Sequence, residues 1–451
     1  MQYLFPGILG NYFLSLENEA ESLMESRTFP DPSFRKIKEP VSGSQTGLHM
    51  DEPDFFSITG KPAKRDTIEL NGKPFQRFRG EFWTSAQRRA SSIHEISYRA
   101  CFKPQLPAFF IELLTAMGDL VYDPFGGRGT TPLEAGLLGR RVATNDINPI
   151  SVILTRPRFF IPSREEITER LSEIQKTPDR EAGIDISMFY HPETENEILG
   201  LREYLTMRRE SGCEDHVDAW IRMIATNRLT GHSSGFFSVY TLPPNQAVSA
   251  DSQERINKKR SQVPPYRDTH ELIMKKTRSL LRTVTTDQQK LLYSAGSNAI
   301  FLSCDASHTP KIMDDTVSLT VTSPPFLNIV QYSLDNWLRC WFNGIDDREV
   351  GETITMTSSV AQWTDMVREV FLELFRITRL GGWVAFEVGE VRKGTIRLEE
   401  HVIPAGELAG FRCYGVLMNE QTFTKTSNIW GIDNNRSGTN TNRIVLFRKK
   451  E

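Results

Sequence analysis

The chain has 451 residues, with 54 Lys and Arg against 57 Asp and Glu, a formal net charge of −3, 39% hydrophobic and 25% charged residues. This composition describes a globular protein with room for about two to three domains, and it excludes a chain that is basic throughout, so any nucleic-acid surface must be local. No run of about 18 apolar residues predicts a membrane span.

The cysteines at 101, 213, 304, 340 and 413 form no Cys-x-x-Cys pair and no zinc-like Cys/His cluster. No metal is expected, and reduced thiols fit a cytoplasmic protein. Met1 to Pro6 lack a basic segment followed by a long apolar core, so no signal peptide is expected.

Residues 1–80 read as an N-terminal arm of unreadable role. An apolar segment, Tyr3 to Leu16, precedes a short helix over 17–21, and residues 28–75 are rich in Pro, Gly, Ser and charge, as an irregular cover would be. Lys61-Pro-Ala-Lys-Arg65 and Lys73-Pro-Phe-Gln-Arg-Phe-Arg79 read as solvated surface, with a phosphate-backbone contact as the alternative.

From 81 to 160 the pattern is that of a cofactor-binding half. A helix is expected over Trp83–His94, started by Thr84 or Ser85, and another over Ala108–Met117. The apolar run Leu120-Val-Tyr122 is a strand leading into Asp123-Pro-Phe-Gly-Gly-Arg-Gly-Thr-Thr131, after which a helix resumes. Gly127 and Gly129, lacking a Cβ, would let backbone N–H groups approach a nucleotide-like ligand. Val142-Ala-Thr-Asn-Asp146 reads as a second strand, with its carboxylate about 20 residues beyond the glycines, where a ribose would be held.

Residues 161–296 read as a mainly helical insertion. Arg164–Gln175 and Glu195–Arg209, the second capped by Thr194, are polar-faced helices, and Val217–Leu229 is apolar enough to bury. The stretch from Gly231 to Gln246 is rich in Gly, Ser and aromatics, and Glu254–Thr283 is basic. Together they form the candidate nucleic-acid surface, against the alternative of an ordinary solvated face.

Residues 297–451 read as a catalytic half. Asn298–Asp305 is a strand ending in a carboxylate, and Thr316–Thr322 is an alternating strand followed by the rigid loop Ser323-Pro-Pro-Phe326. A nucleobase amino group is a poor nucleophile because its lone pair is delocalised into the ring. A Ser hydroxyl and a fixed carbonyl can accept its N–H bonds and aim the lone pair, while Phe326 offers a face for an extruded base. A helix over Trp363–Thr378, ended by Gly381-Gly382, and strands at Trp383–Val388, Cys413–Met418 and Arg443–Arg448 complete the pattern. The Leu334, Trp337, Leu338, Trp341 stripe reads as core, and Asn428–Asn442 as a polar loop that could touch DNA.

Asp123-Pro-Phe-x-Gly-x-Gly-Thr130 and Thr322-Ser-Pro-Pro-Phe326 together resemble the motifs of S-adenosylmethionine-dependent, amino-specific DNA methyltransferases, cytosine-N4 type. The resemblance implies an α/β fold: a Rossmann-like class I methyltransferase sheet with a helical inserted target-recognition region, in the motif order called alpha. It implies methyl transfer to N4 of cytosine in double-stranded DNA with base flipping, and a companion restriction endonuclease as a further partner. Ser323, Pro324, Pro325 and Phe326 would be catalytic. Lys103, Pro104, Asp123, Phe125, Gly127, Gly129, Thr130, Asp146 and Asp305 would hold the cofactor. Asn328 and Tyr332 would lie near the target base, and His94 and Arg99 are either ligand contacts or structural. Adenine-N6 methylation, RNA base methylation on the same fold and a silent nucleic-acid-binding module are the alternatives.

Overall fold

The computed structural model describes residues 64–70, 72–83, 90–98, 101–174, 182–242, 247–325, 332–353, 359–388, 390–391, 396–419 and 442–450. Nine strands form one sheet. In chain order they begin with β1 (Lys64–Leu70), β2 (Lys73–Gly80), β3 (Leu120–Asp123), β4 (Arg141–Asn145) and β5 (Ile300–Leu302). β6 (Val317–Thr322) and β7 (Thr378–Val388) follow, then a separate ribbon of β8 (Glu390–Val391) and β9 (Ile396–Arg397), and finally β10 (Phe411–Asn419) and β11 (Asn442–Lys449). Across the sheet the order is β1-β2-β10-β11-β7-β6-β3-β4-β5.

β5, β4, β3, β6 and β7 are mutually parallel, and β11 runs antiparallel between β7 and β10. From β3 the chain steps outward to β4 and β5, then returns to lay β6 and β7 on the other side of β3. That reversal puts a topological switch point between β3 and β6, and ligands of such sheets bind beyond the carboxyl ends of the strands there.

The sheet is covered on both faces, which is why its central strands carry few exposed residues. One face packs Val121, Val142, Leu319 and Val321 against helices α1 (Gln105–Leu114) and α2 (Thr130–Leu137), joined by Leu292 of α9 (Thr286–Ser297). The other packs Tyr122, Val317, Val384 and Phe386 against Val367, Val370, Phe371 and Leu374 of α12 (Val360–Ile377) and Val402 of α13 (Glu399–Leu408). Successive strand residues point to opposite layers, as the two-residue repeat requires.

The helices between β4 and β5 form a third core. α3 (Ile150–Thr155), α4 (Arg164–Glu173), α5 (Pro192–Glu210), α7 (Ala250–Arg260) and α8 (Thr269–Leu281) surround α6 (His216–Arg228). Trp220, Ile221 and Ile224 of α6 are fully buried there. Ile93, Ile96 and residues of α10 (Tyr332–Asn343) share this core, so the helical region is continuous with segments on both sides of it; α11 (Asp347–Thr353) follows α10.

Several expectations are corrected. Residues 64–80 are a sheet-edge hairpin rather than part of an irregular arm: β2 runs parallel to β10, with Phe75 and Phe78 buried. Edge strands commonly carry charges and Pro, and these masked the pattern. Arg77 pairs with Asp66 at 2.6 Å and Lys73 with Glu407 at 3.4 Å, which favours the surface reading of that basic run. The helix expected to reach His94 does not: Ser92–His94 is a single 3-10 turn capped by Ser91, while residues 84–89 lie outside the described residues. α1 starts at Gln105 and ends at Leu114, since Pro107 is tolerated in a first turn.

Pro192 at the first position makes His191, not Thr194, the cap of α5, and Thr194 Oγ1 donates to Arg267 O instead. β6 is buried on both faces despite its polar alternation. α12 stops at Ile377, and Gly381, with φ +74°, turns within β7. Among the described residues, no helix is long and apolar enough to cross a membrane.

Candidate cofactor and catalytic cleft

β3 and β6 bring the two motifs side by side. Asp123 ends β3 almost fully buried, and its Oδ1 accepts from Thr322 Oγ1 at 2.6 Å and from the Phe125 N–H at 3.1 Å. Thr131 Oγ1 of α2 donates to Val321 O at 3.1 Å, a second tie between the glycine-loop segment and β6. Burial pushes the Asp123 carboxyl up to about 7, opposed by its hydroxyl and amide donors.

The glycines of the loop have separate duties. Gly126, which sequence reasoning did not single out, donates to Asn145 O at 2.8 Å, and a Cβ there would collide with Thr144. Gly129, at φ +78°, opens α2, and a Cβ on it would collide with Thr155 of α3. Only Gly127, at φ +53°, has ordinary contact distances around its missing Cβ, the nearest atom being Tyr98 Cε1 at 3.7 Å. Gly127 thus has room for a Cβ but already gives its N–H to Asp146, as Gly129 gives its own to Gly126 O, so neither N–H stands free for a ligand as expected from the sequence. Gly126 and Gly129 let the loop pack on its own fold.

Asp146 follows β4. Its Oδ2 accepts the Gly127 N–H at 2.8 Å and its Oδ1 the Asn148 N–H at 2.9 Å, so strand end and glycine loop are locked together. Burial pushes its carboxyl up to about 6, against those two amide donors. A carboxylate has about four acceptor positions, so both oxygens can still accept from a ligand hydroxyl.

Asn145 was also missed. Its side chain donates to Pro124 O and Cys304 O and accepts the Cys304 N–H, stitching the ends of β3, β4 and the segment after β5. Asp305 stands exposed at that same edge, its Oδ1 accepting from Ser307 N and Oγ at 2.8 and 2.7 Å. Burial raises the Cys304 thiol, consistent with a packed residue.

The segment before α1 lies on the glycine loop. Arg128 donates from Nη1 to Ile96 O at 3.1 Å and from Nη2 to Phe102 O at 3.5 Å, and its Nε to Thr130 Oγ1 at 3.3 Å. Lys103 is exposed just beyond it, Pro104 is the N-cap of α1, and Phe125 is half-buried. His94 is buried with Nε2 2.6 Å from Glu134 Oε1, a structural pair.

In the second motif Ser323 is partly exposed, Pro324 buried and Pro325 partly exposed. Trp363 of α12, 1% exposed, donates Nε1–H to Pro325 O at 2.9 Å and so fixes the loop from behind. A Trp at the start of an amphipathic helix reads as core, which is why its second duty went unseen. Phe326, Asn328 and Arg99 lie outside the described residues, as does the side chain of Tyr332. Trp337 and Trp341 are packed against the helical core, and their indole N–H groups bond Val248 O and Ala182 O. Among the described residues, no group of three or more His, Cys, Asp or Glu is arranged to hold a metal.

The family of N6 and N4 methyltransferases described as DNA methylase matches residues 33–195. Type II methyltransferase M.BsoBI of Geobacillus stearothermophilus is 28% identical over 315 residues, covering 62% of this chain and 60% of that protein. Type II methyltransferase M.PvuII of Proteus hauseri is 27% identical over 165 residues, covering 32% of this chain and 47% of that protein. The chain thus spans 60% and 47% of the length of these curated relatives. Among solved structures, TrmN from Thermus thermophilus aligns with TM-score 0.29 and 13% identity, over 78% of this chain and 50% of that one. The resemblance to amino-specific DNA methyltransferases seen in the two motifs is borne out by the family match and the two curated relatives.

Proposed function

We propose that this chain, a relative of the N4 and N6 DNA methyltransferases, transfers a methyl group from S-adenosylmethionine to an exocyclic amino group of DNA, namely N4 of cytosine. The observation that carries the reading is the 2.6 Å bond from Thr322 to Asp123, which joins a glycine loop and a Ser-Pro-Pro loop at the switch point of one sheet.

The residues present fit the cofactor. Gly127, with a left-handed φ of +53°, has only ordinary contact distances around its missing Cβ, Asp146 would accept from ribose hydroxyls, and Asp305 stands at the neighbouring strand end. Lys103, Pro104, Phe125 and Thr130 would line the rest of this pocket. When bound, S-adenosylmethionine supplies a charged sulfonium methyl, so neither a metal nor a covalent enzyme intermediate is needed.

Ser323 Oγ and the Pro324 carbonyl accept the N–H bonds of the amino group, which localises its lone pair and stabilises the positive charge that develops on it. The amine then gives up one proton to solvent. Pro325 is held by Trp363, and Phe326 would stack on the flipped base. Ser in the first loop position favours cytosine N4 over adenine N6. Residues 161–296 would read the target, with the arm before them of undefined role, residues 81–160 the cofactor half and 297–451 the catalytic half.

Incubation with labelled S-adenosylmethionine and mixed genomic DNA, or total RNA, followed by nucleoside identification by mass, tests this. N4-methylcytosine in DNA is the expected product. N6-methyladenine would correct the base, label confined to RNA would replace the substrate, and no label would leave a binding module.

A further inference from the structure

With a net charge of −3, the chain must concentrate its phosphate contacts in few places. Arg222 pairs with Glu214 at 2.7 Å and Arg443 with Glu399, while the fully buried Arg158 spreads its guanidinium over the carbonyls of Leu154, Ile93 and Arg128. Arg228, the last residue of α6, is different. It is 8% exposed, and among the described residues it forms no ion pair. Its Nη2 donates to Asn227 Oδ1 at 2.5 Å and Ser97 Oγ at 3.4 Å, its guanidinium carbon stands 3.9 Å from the Phe236 ring centre, and its buried Nε has no hydrogen-bond partner.

Arg339 of α10 converges on the same segment, donating from Nη2 to Ser97 O at 3.2 Å with its guanidinium 5.7 Å from the Tyr98 ring centre. Burial, and then the Arg339 charge, push Arg228 down to about 9. A buried guanidinium without a counter-charge is costly, and hydrogen bonds to neutral groups offset that cost only in part. An anion would complete the site.

Its position indicates which anion. Tyr98 neighbours both Gly127, where its Cε1 stands 3.7 Å from the position of a missing Cβ, and Arg339, so the arginine pair is linked to the glycine loop through one aromatic ring. Phe236, stacked on Arg228, ends the loop Gly231–Phe236, in which His232, Ser233 and Ser234 are exposed. Arg339 itself rides on the helix that follows the Ser323-Pro-Pro-Phe326 loop.

We propose that Arg228, supported by Arg339, receives a backbone phosphate of the nucleic-acid strand whose base enters the catalytic cleft. The assignment rests on the nucleic-acid reading of the cleft given above. Arg228→Met keeps an unbranched apolar stem like the arginine's aliphatic portion and removes the guanidinium and its charge, so it tests the point directly. Melting temperature and S-adenosylmethionine affinity should stay or rise, because an uncompensated buried charge is gone.

Binding to a short mixed-sequence duplex should weaken by about tenfold, and the slope of log K against log salt should shrink by about 0.9. In methylation of genomic DNA, KM for DNA should rise while KM for the cofactor does not, and Arg228→Lys should recover part of the loss. Unchanged duplex affinity and slope would overturn the assignment, as would a wild type that binds no duplex. A parallel loss of melting temperature and cofactor affinity would overturn it too, making Arg228 structural. A wild type that methylates no base yet binds duplex with the Arg228-dependent slope keeps the phosphate site and removes only the enzyme assignment.

Discussion

Thr322 Oγ1 donates to Asp123 Oδ1 at 2.6 Å, joining two residues 199 positions apart at the ends of adjacent parallel strands. The residues that follow, Pro124 and Ser323, therefore leave the sheet side by side, about 5 Å apart by ordinary strand spacing. The glycine loop and the Ser-Pro-Pro loop are held in one cleft by this contact and by the sheet pairing beneath it.

Thr322→Val removes that donor while keeping the shape of the strand. Asp123 would retain the Phe125 N–H but lose its shortest partner in a buried setting. A hydrogen bond to a charged or chargeable group contributes about 1.5–3 kcal/mol, so a lower melting temperature and weaker S-adenosylmethionine binding are expected together. Calorimetric unfolding with and without cofactor checks both; a variant matching wild type in each would show the contact to be incidental.

The pH dependence has a defined sign. Burial raises Asp123 to about 7 and Asp146 to about 6 from an ordinary 3.8, so both carboxyls bind protons more tightly folded than unfolded. Their contribution to stability is intact below about pH 4 and is lost progressively as pH rises to about 7. A sulfonium cofactor and its ribose hydroxyls favour the ionised carboxylates, so cofactor affinity should strengthen from about pH 5 to about pH 8. Calorimetric titrations in buffers of different ionisation enthalpy should reveal proton release on binding. Asp146→Asn should flatten the part of the profile near pH 6.

Trp363→Phe keeps most of the buried ring and deletes the donor to Pro325 O. The Ser323 loop would lose its support from behind while Asp123, Asp146 and Gly127 are untouched. Methyl transfer should slow by about tenfold or more, since misplacing a reacting group by about 1 Å costs on the order of a hundredfold. Cofactor affinity should hold. Equal loss of both would assign Trp363 to general packing of α12.

The parallel sheet was legible because its strands are short apolar runs ending in distinctive residues: Asp123, Asp146 and Ser323-Pro-Pro. The helical region was legible from periodicity, but not its caps: Pro192 gives the cap of α5 to His191 rather than Thr194. The β1–β2 hairpin was not, because an edge pair rich in Lys, Arg and Pro lacks a continuous apolar face even though Phe75 and Phe78 bury. Asn145, Trp363 and Arg228 were hidden for another reason: their roles depend on partners 159, 38 and 131 residues away. Local pattern carries no information about such pairings.

The two left-handed glycines of the loop should respond differently to the same substitution. Gly127→Ala places a Cβ at ordinary contact distance, so its cost is the left-handed backbone alone, about 1–2 kcal/mol. The variant should fold and bind the cofactor more weakly, because the added methyl stands where the loop faces Tyr98 and the ligand. Gly129→Ala adds to the same backbone strain a collision with Oγ1, Cγ2 and Cβ of Thr155, and α2 or α3 must shift to relieve it. Overpacking of this kind costs a further 1–3 kcal/mol or so, so the variant should melt well below Gly127→Ala even without cofactor. Adding Thr155→Ala removes two of the three colliding atoms and should restore part of the melting temperature. If it restores none, Gly129 acts through the ligand rather than through the packing of α2 on α3, and the division of labour among the glycines fails.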